Sequence, residues 1–175
     1  VGHEMMRLMS HRRCALTLEK MASMGVLSGE LFSVPALAAL EAMEVFAVPV
    51  DAEMRLALMG VLGAPTSSLR DKWRLSNATT ARIGRLAGAA ELARQDKLGE
   101  LAYRYPDDRE AGLAIVAALD RKPENWLAER SETVRAIAPG KFPLSGSDLV
   151  SAGYRSGPAL GAELQRLEKL WIESG

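Results

Sequence analysis

The sequence predicts an all-α fold, an irregular multi-helix array that ends in a helical hairpin, with no significant sheet. Three observations carry this. Ala, Leu, Met, Arg and Glu dominate the chain, and these are strong helix formers, whereas aromatics are only 5%. Apolar residues recur at spacings of three and four almost throughout. Capping and stop residues break that pattern into segments of ordinary helix length.

Taken in order, a first helix is expected from about His3 to Ser10, with Met5, Leu8 and Met9 apolar. A second covers about Arg12 to Met24, with Leu16, Met21 and Met24 facing inward and Gly25 as its C-cap. Pro35 opens a third, since proline suits the first helical turn. Val45-Phe46-Ala47-Val48-Pro49-Val50 is the most strand-like stretch, but Pro49 interrupts it, so it reads as a helix end running into a loop. Asp51 caps a fourth helix, whose apolar line is Met54, Leu58, Val61 and Leu62, and Gly63-Ala64-Pro65 stops it. Thr66 to Trp73 forms a short helix ending at Arg74-Leu75, and Ser76 or Asn77 caps the next, which continues to about Ala93.

A further helix carries Leu98, Leu101 and Tyr105, with Pro106-Asp107-Asp108 at its end. Asp107 or Asp108 starts another, with Leu113, Val116 and Leu119 inside. Pro123 starts one more through Trp126, Leu127, Val134 and Ile137, ended by Pro139-Gly140, after which Lys141-Phe142-Pro143-Leu144 is an extended linker. Ser145-Gly146-Ser147-Asp148 is a capping box, in which hydroxyl and carboxylate each satisfy the other residue's amide. Gly153 ends that helix, and Gly157-Pro158 opens the last. There Leu160, Leu164, Leu167 and Trp171 share a face, and Gly161 beside it is expected to let another helix approach closely. No repeat of fixed period appears, which excludes a regular solenoid.

The chain has 175 residues, enough for one domain or two small helical subdomains and for burial of about 70% of the unfolded surface without disulfide or metal. The expected segments are 1–65, 66–141 and a tail hairpin, 142–175. One cysteine, Cys14, excludes a disulfide scaffold. Apolar runs fall well short of the ~20 residues of a membrane span. Val1-Gly2-His3-Glu4 has neither an initiator Met nor a basic-then-apolar leader, so the expectation is a fragment of a cytoplasmic protein. The Met-rich start (Met5, Met6, Met9, Met21, Met24) is either core or a face uncovered by truncation, through which the fragment could dimerise.

Formal net charge is zero, against a bulk attraction to nucleic acid or membrane. The charges are nevertheless unevenly placed. From 66 to 104 eight bases face four acids, and from 36 to 65 one base, Arg55, faces Glu41, Glu44, Asp51 and Glu53. Within the basic run, Arg70, Lys72 and Arg74 flank Trp73, and Arg82 and Arg85 follow on the next helix. Arginines with an aromatic can hold phosphate and stack on a base, so these six residues are the candidate RNA contacts, set against a solvated helix face with a core tryptophan.

Other motifs point to structure. His11 and Cys14 stand at i, i+3, with His3 and Arg7 on a similar stripe, but two or three soft ligands without a fourth are too few for a metal site, and no metal is expected. Asn77-Ala78-Thr79 matches a glycosylation sequon and reads as a helix cap. Asp51-x-Glu53 and Asp107-Asp108 sit at helix starts, where acids suit the positive dipole end, rather than converging on a metal. The final hairpin could be taken for a DNA-reading helix-turn-helix, but its last helix carries Glu163, Glu168 and Glu173 against Arg166 and Lys169, which excludes DNA as partner.

The stretch Phe142-Pro143-Leu144-Ser145-Gly146-Ser147-Asp148-Leu149, then Gly153, then Gly157-Pro158-Ala159-Leu160-Gly161 with Leu164 and Leu167, resembles the C-terminal hairpin of the bacterial tRNA nucleotidyltransferase / poly(A) polymerase family, class II type. Arg74-Leu75-Ser76-Asn77 is similar to a helix junction of that family. The His3–Met9 segment, followed by Ala15-Leu16 and Met24-Gly25-Val26-Leu27, is similar to its body segment. The three pieces occur in the family's order and span nearly the whole chain. The resemblance implies body and tail helices that hold RNA, in CCA-adding members tRNA. The family's catalytic head carries a Gly-Ser turn and an Asp-x-Asp metal pair; no Asp-x-Asp occurs here. The parent enzyme would use Mg and ATP/CTP in that head, so no catalytic residue or cofactor is assigned to this chain. Ser145, Gly146, Asp148, Gly153, Gly157, Pro158 and Gly161 are expected to act as caps and packing points. A helical protein-interaction module without RNA is the competing reading.

Overall fold

The computed structural model describes residues 2–27, 32–46, 49–63, 66–138 and 140–174. Among them the chain is all α. The helices are α1 (Gly2–Ser10), α2 (Cys14–Ser23), α3 (Val34–Met43), α4 (Ala52–Val61), α5 (Thr66–Trp73), α6 (Asn77–Arg94), α7 (Leu98–Arg104), α8 (Arg109–Leu119), α9 (Glu124–Ala136), α10 (Gly146–Ser151) and α11 (Pro158–Ser174), and no described residue lies in a strand. The expectations placed on Ala47-Val48, Ala64-Pro65 and Pro139 fall outside the described residues.

Local chemistry sets the ends. Asp51 caps α4 by accepting from the Met54 amide at 2.9 Å. Ser76, rather than Asn77, caps α6, its hydroxyl accepting from the Thr79 amide at 3.1 Å. Asp108 stands at the start of α8 but makes no side-chain cap bond. Gly25, at φ +71°, closes α2 with a pair of bonds, Gly25 N to Ala22 O at 3.0 Å and Val26 N to Met21 O at 2.9 Å.

α6 and α8 pack most closely, and α4, α3 and α9 gather around them. α8 is apolar nearly all round, with 112–118 buried, as a helix enclosed by neighbours must be. Small residues let the central pair meet. A Cβ on Gly112 would lie 2.8 Å from the Ala89 carbonyl carbon, too close for any side chain. Gly112 is thus a close-approach glycine between helices, whereas Gly161, expected to play that part, is exposed with open space around its Cβ position.

One cluster of buried residues runs from Met5 to Val134, drawing on both the 1–65 and 66–141 segments. Met5 and Met9 belong to it, so this part of the Met-rich start is core. Two inward expectations on α2 fail: Leu16 is 58% exposed and Met24 69%. α2 turns Cys14 and Leu18 inward, and Leu16 lies about 200° around the helix from Leu18.

The tail is a satellite. Leu149 is buried within it, and Leu160, Leu164, Leu167 and Trp171 are half-buried. It docks on α7, where Tyr103 meets Trp171 edge-on at 5.4 Å and donates to Glu168 at 2.9 Å. Its sequence anchors act as caps. The Asp148 carboxylate accepts from the Ser145 amide at 2.7 Å and the Ser145 hydroxyl at 2.5 Å. Gly153 (φ +96°) and Gly157 (φ +150°) adopt backbone that favours glycine, Pro158 opens α11, and Gly146 lets Leu160 approach to 3.5 Å of its Cβ position.

Candidate nucleic-acid interface

α5 is short and amphipathic, held by Leu69 and Trp73, which are one turn apart and both buried. Trp73 is 7% exposed and stacks on Phe32 with ring centroids 6.4 Å apart. It is therefore a core residue, and the expectation that a base stacks on it is corrected: burying a large apolar ring outweighs leaving it on the surface. With Trp73 turned in, Arg70, Lys72 and Arg74 point to solvent. Arg74 has φ +50°, the left-handed conformation that ends α5, and Leu75 N then donates to Arg70 O at 3.1 Å. Arg70 Nη2 donates to the Asn77 side chain at 3.0 Å across the junction. None of the three forms an ion pair with a described residue.

Arg82 and Arg85 are placed differently. Arg82 donates to Asp51 at 2.6 Å and to Glu53 at 2.9 Å, tying α6 to the start of α4. The hydrogen bond to Asp51 raises its pKa further. Arg85 donates to the buried Asp108 at 3.1 Å, tying α6 to the start of α8. Arg94 pairs with Asp120 at 3.1 Å, and Arg104 with Glu100 at 2.8 Å and Glu168 at 3.4 Å. The basic excess of 66–104 is thus answered by acids from other segments. Asp51, Glu53 and Asp108, from the two carboxylate clusters, supply this interhelical pairing.

Cys14 is fully buried, and burial pushes its thiol up to about 11, which leaves it a poor nucleophile at neutral pH. His11, three residues earlier, is exposed. Among the described residues no three His, Cys, Asp or Glu side chains gather in an arrangement that could hold a metal ion.

Arg55 is the residue sequence reading missed. It is 1% exposed in the middle of α4 and reaches the end of α1. Its Nη1 donates to the carbonyls of Met9 and His11, the latter at 2.8 Å, and Nη2 to that of Arg12 at 3.3 Å. A guanidinium thus satisfies carbonyls that a helix end leaves without intrahelical partners, at the negative end of its dipole. Its Nε has no hydrogen-bond partner among the described residues. The available signal was a lone cation embedded in Met54, Leu56, Ala57, Leu58 and Met59, a stretch too apolar to be a solvated face.

An apolar groove lies between α2 and α3, where Leu16, Val34 and Val45 are 58%, 81% and 77% exposed. No helix among the described residues is long and apolar enough to cross a membrane. No family model, no curated protein and no solved structure matches the chain.

Proposed function

We propose that this chain is an RNA-holding helical body and tail, the part of a nucleotide-adding enzyme of the tRNA nucleotidyltransferase / poly(A) polymerase type that grips its substrate while a separate head performs the chemistry. The observation that carries the RNA reading is the set Arg70, Lys72 and Arg74, three exposed cations within five residues that no described carboxylate neutralises. Arginines committed to holding helices together gain little by meeting phosphate; uncommitted ones release counterions when they do. The tail supports the enzyme reading through its Ser145–Asp148 cap and Gly153–Gly157-Pro158 turn, in the order of the family's hairpin. On this reading the protein works in the cytoplasm, its partner is RNA, in particular tRNA, and Mg with ATP or CTP belongs to the head.

The groove between α2 and α3 favours a second reading, a helical module that docks a protein partner through Leu16, Val34 and Val45. The two readings separate on one variant. Reversing Arg70, Lys72 and Arg74 together to Glu should weaken tRNA binding roughly tenfold or more and flatten its dependence on salt. Unchanged RNA affinity in that variant, with the helical circular-dichroism signal intact, would remove these residues from the interface.

A further inference from the structure

The cations that the fold leaves uncommitted are not confined to α5. On α1, Met5 and Met9 turn into the core, while His3 and Arg7, about 200° around the helix, are exposed. His11 continues their stripe just beyond the end of α1, and Arg12 and Arg13 follow, all three exposed. From His3 to His11 the stripe is about 12 Å long. At its other end α5 abuts α1 so closely that a Cβ on Gly2 would fall on the Trp73 carbonyl, which brings the end of α5, followed by Arg74, to the start of α1. Neither Arg7, Arg12, Arg13 nor Arg74 forms an ion pair with a described residue; Glu4, Glu19 and Asp71 are the acids that share these elements, and Glu19, Glu41 and Glu44 line the groove that Arg12 and Arg13 also line.

Two further features mark the turn at Arg12-Arg13. Arg13 is the N-cap of α2 and makes no side-chain cap bond, and α2 has no acid in its own first turn. Glu44 from the end of α3 takes the Ala15 amide at 2.9 Å, so a carboxylate already stands at the positive end of α2, and the two arginines lie beside it. The turn is also rigidly held. Arg55 bonds the carbonyls of Met9, His11 and Arg12 from the inside, so the side chains of His11, Arg12 and Arg13 face out.

We infer that this stripe, His3, Arg7, His11, Arg12 and Arg13 continued by Arg74, is a track for the phosphate backbone of RNA. The inference rests on the RNA-holding reading and names where the RNA runs. Arg55 is a positioning residue for it, fixing the turn without touching the ligand.

The test is a salt titration of tRNA binding to the whole chain carrying Arg12→Glu with Arg13→Glu. A control carries Lys141→Glu with Arg155→Glu, the same change in net charge placed at exposed positions of the tail, which docks on α7. Glutamate at a helix start agrees with the dipole, so the first variant should stay folded. Arg12→Gln with Arg13→Gln, which removes charge without adding repulsion, should fall between it and the parent. The expected result is roughly a tenfold loss or more for the Glu pair, with the slope of log affinity against log salt reduced by about 1–2, and less than about a twofold change in the control. Equal losses in both variants would overturn the track in favour of diffuse attraction. No loss at Arg12 and Arg13 while the Arg70, Lys72 and Arg74 reversal still weakens binding would overturn it and leave the RNA reading standing. Absence of binding by the parent chain would overturn both.

Discussion

Arg55 shows how one side chain can join stability to function. It is buried without a carboxylate partner among the described residues, where carbonyl oxygens at the end of α1 compensate for its lost hydration. Hydrogen bonds to a charged group are among the stronger kind, and removing one side of a buried set leaves the other unsatisfied. Arg55→Met should therefore destabilise the protein by about 1–3 kcal/mol, read as a lower urea midpoint. A loss under about 1 kcal/mol would mean that water serves those carbonyls equally well. At this scale the sequence was informative where one residue acts on its neighbours. Asp51, Ser76 and the Ser145–Asp148 pair cap as their spacing suggests, because a cap needs only residues two or three positions away. It was uninformative where the partner is distant: Arg55 bonds residues more than forty positions away, and the burial of Trp73 depends on Phe32.

Among the elements, the tail hairpin is the best specified locally and the least embedded. Its cap is also its pH-sensitive part. Hydrogen bonds from the Ser145 side chain and then its amide hold the Asp148 carboxyl below the usual carboxylate range. A carboxyl lowered in the folded state stabilises fully above its unfolded value, about pH 4, and that contribution is lost as pH falls through the folded value. Amide-exchange protection across α10 should then drop between pH 5 and pH 3, both chosen as roughly bracketing that value, while Asp148→Asn should be weakly protected at both. Equal loss in parent and variant would show that the cap does not govern α10. Helix existence was legible from apolar periodicity, and helix packing was not. The contact of Gly112 with Ala89 and the open surroundings of Gly161 depend on which helices meet, and nothing within either helix encodes that. Leu16 misled for a related reason: periodicity finds an apolar face, but whether a neighbour covers it is a tertiary fact.

Across the whole molecule, a net charge of zero conceals a division of labour. Arg82, Arg85, Arg94 and Arg104 are spent on bridges between helices, and their partners come from distant segments. Arg7, Arg12, Arg13, Arg70, Lys72 and Arg74, which form no ion pair with a described residue, lie along α1, the turn into α2 and the end of α5. Segment charge counts could not separate these groups, because pairing across the fold cancels charge that looks excessive along the chain. Of the six residues singled out from the sequence, Arg70, Lys72 and Arg74 remain available at one junction, Arg82 and Arg85 are interhelical ties, and Trp73 is core. The central claim is that this arrangement holds a structured RNA. Fluorescence-anisotropy titration of the chain with a full tRNA and with an unstructured RNA of equal length, at two salt concentrations, tests it most directly. The account predicts tighter binding to tRNA that weakens steeply as salt rises. Equal binding to both RNAs, or none at low salt, would contradict it.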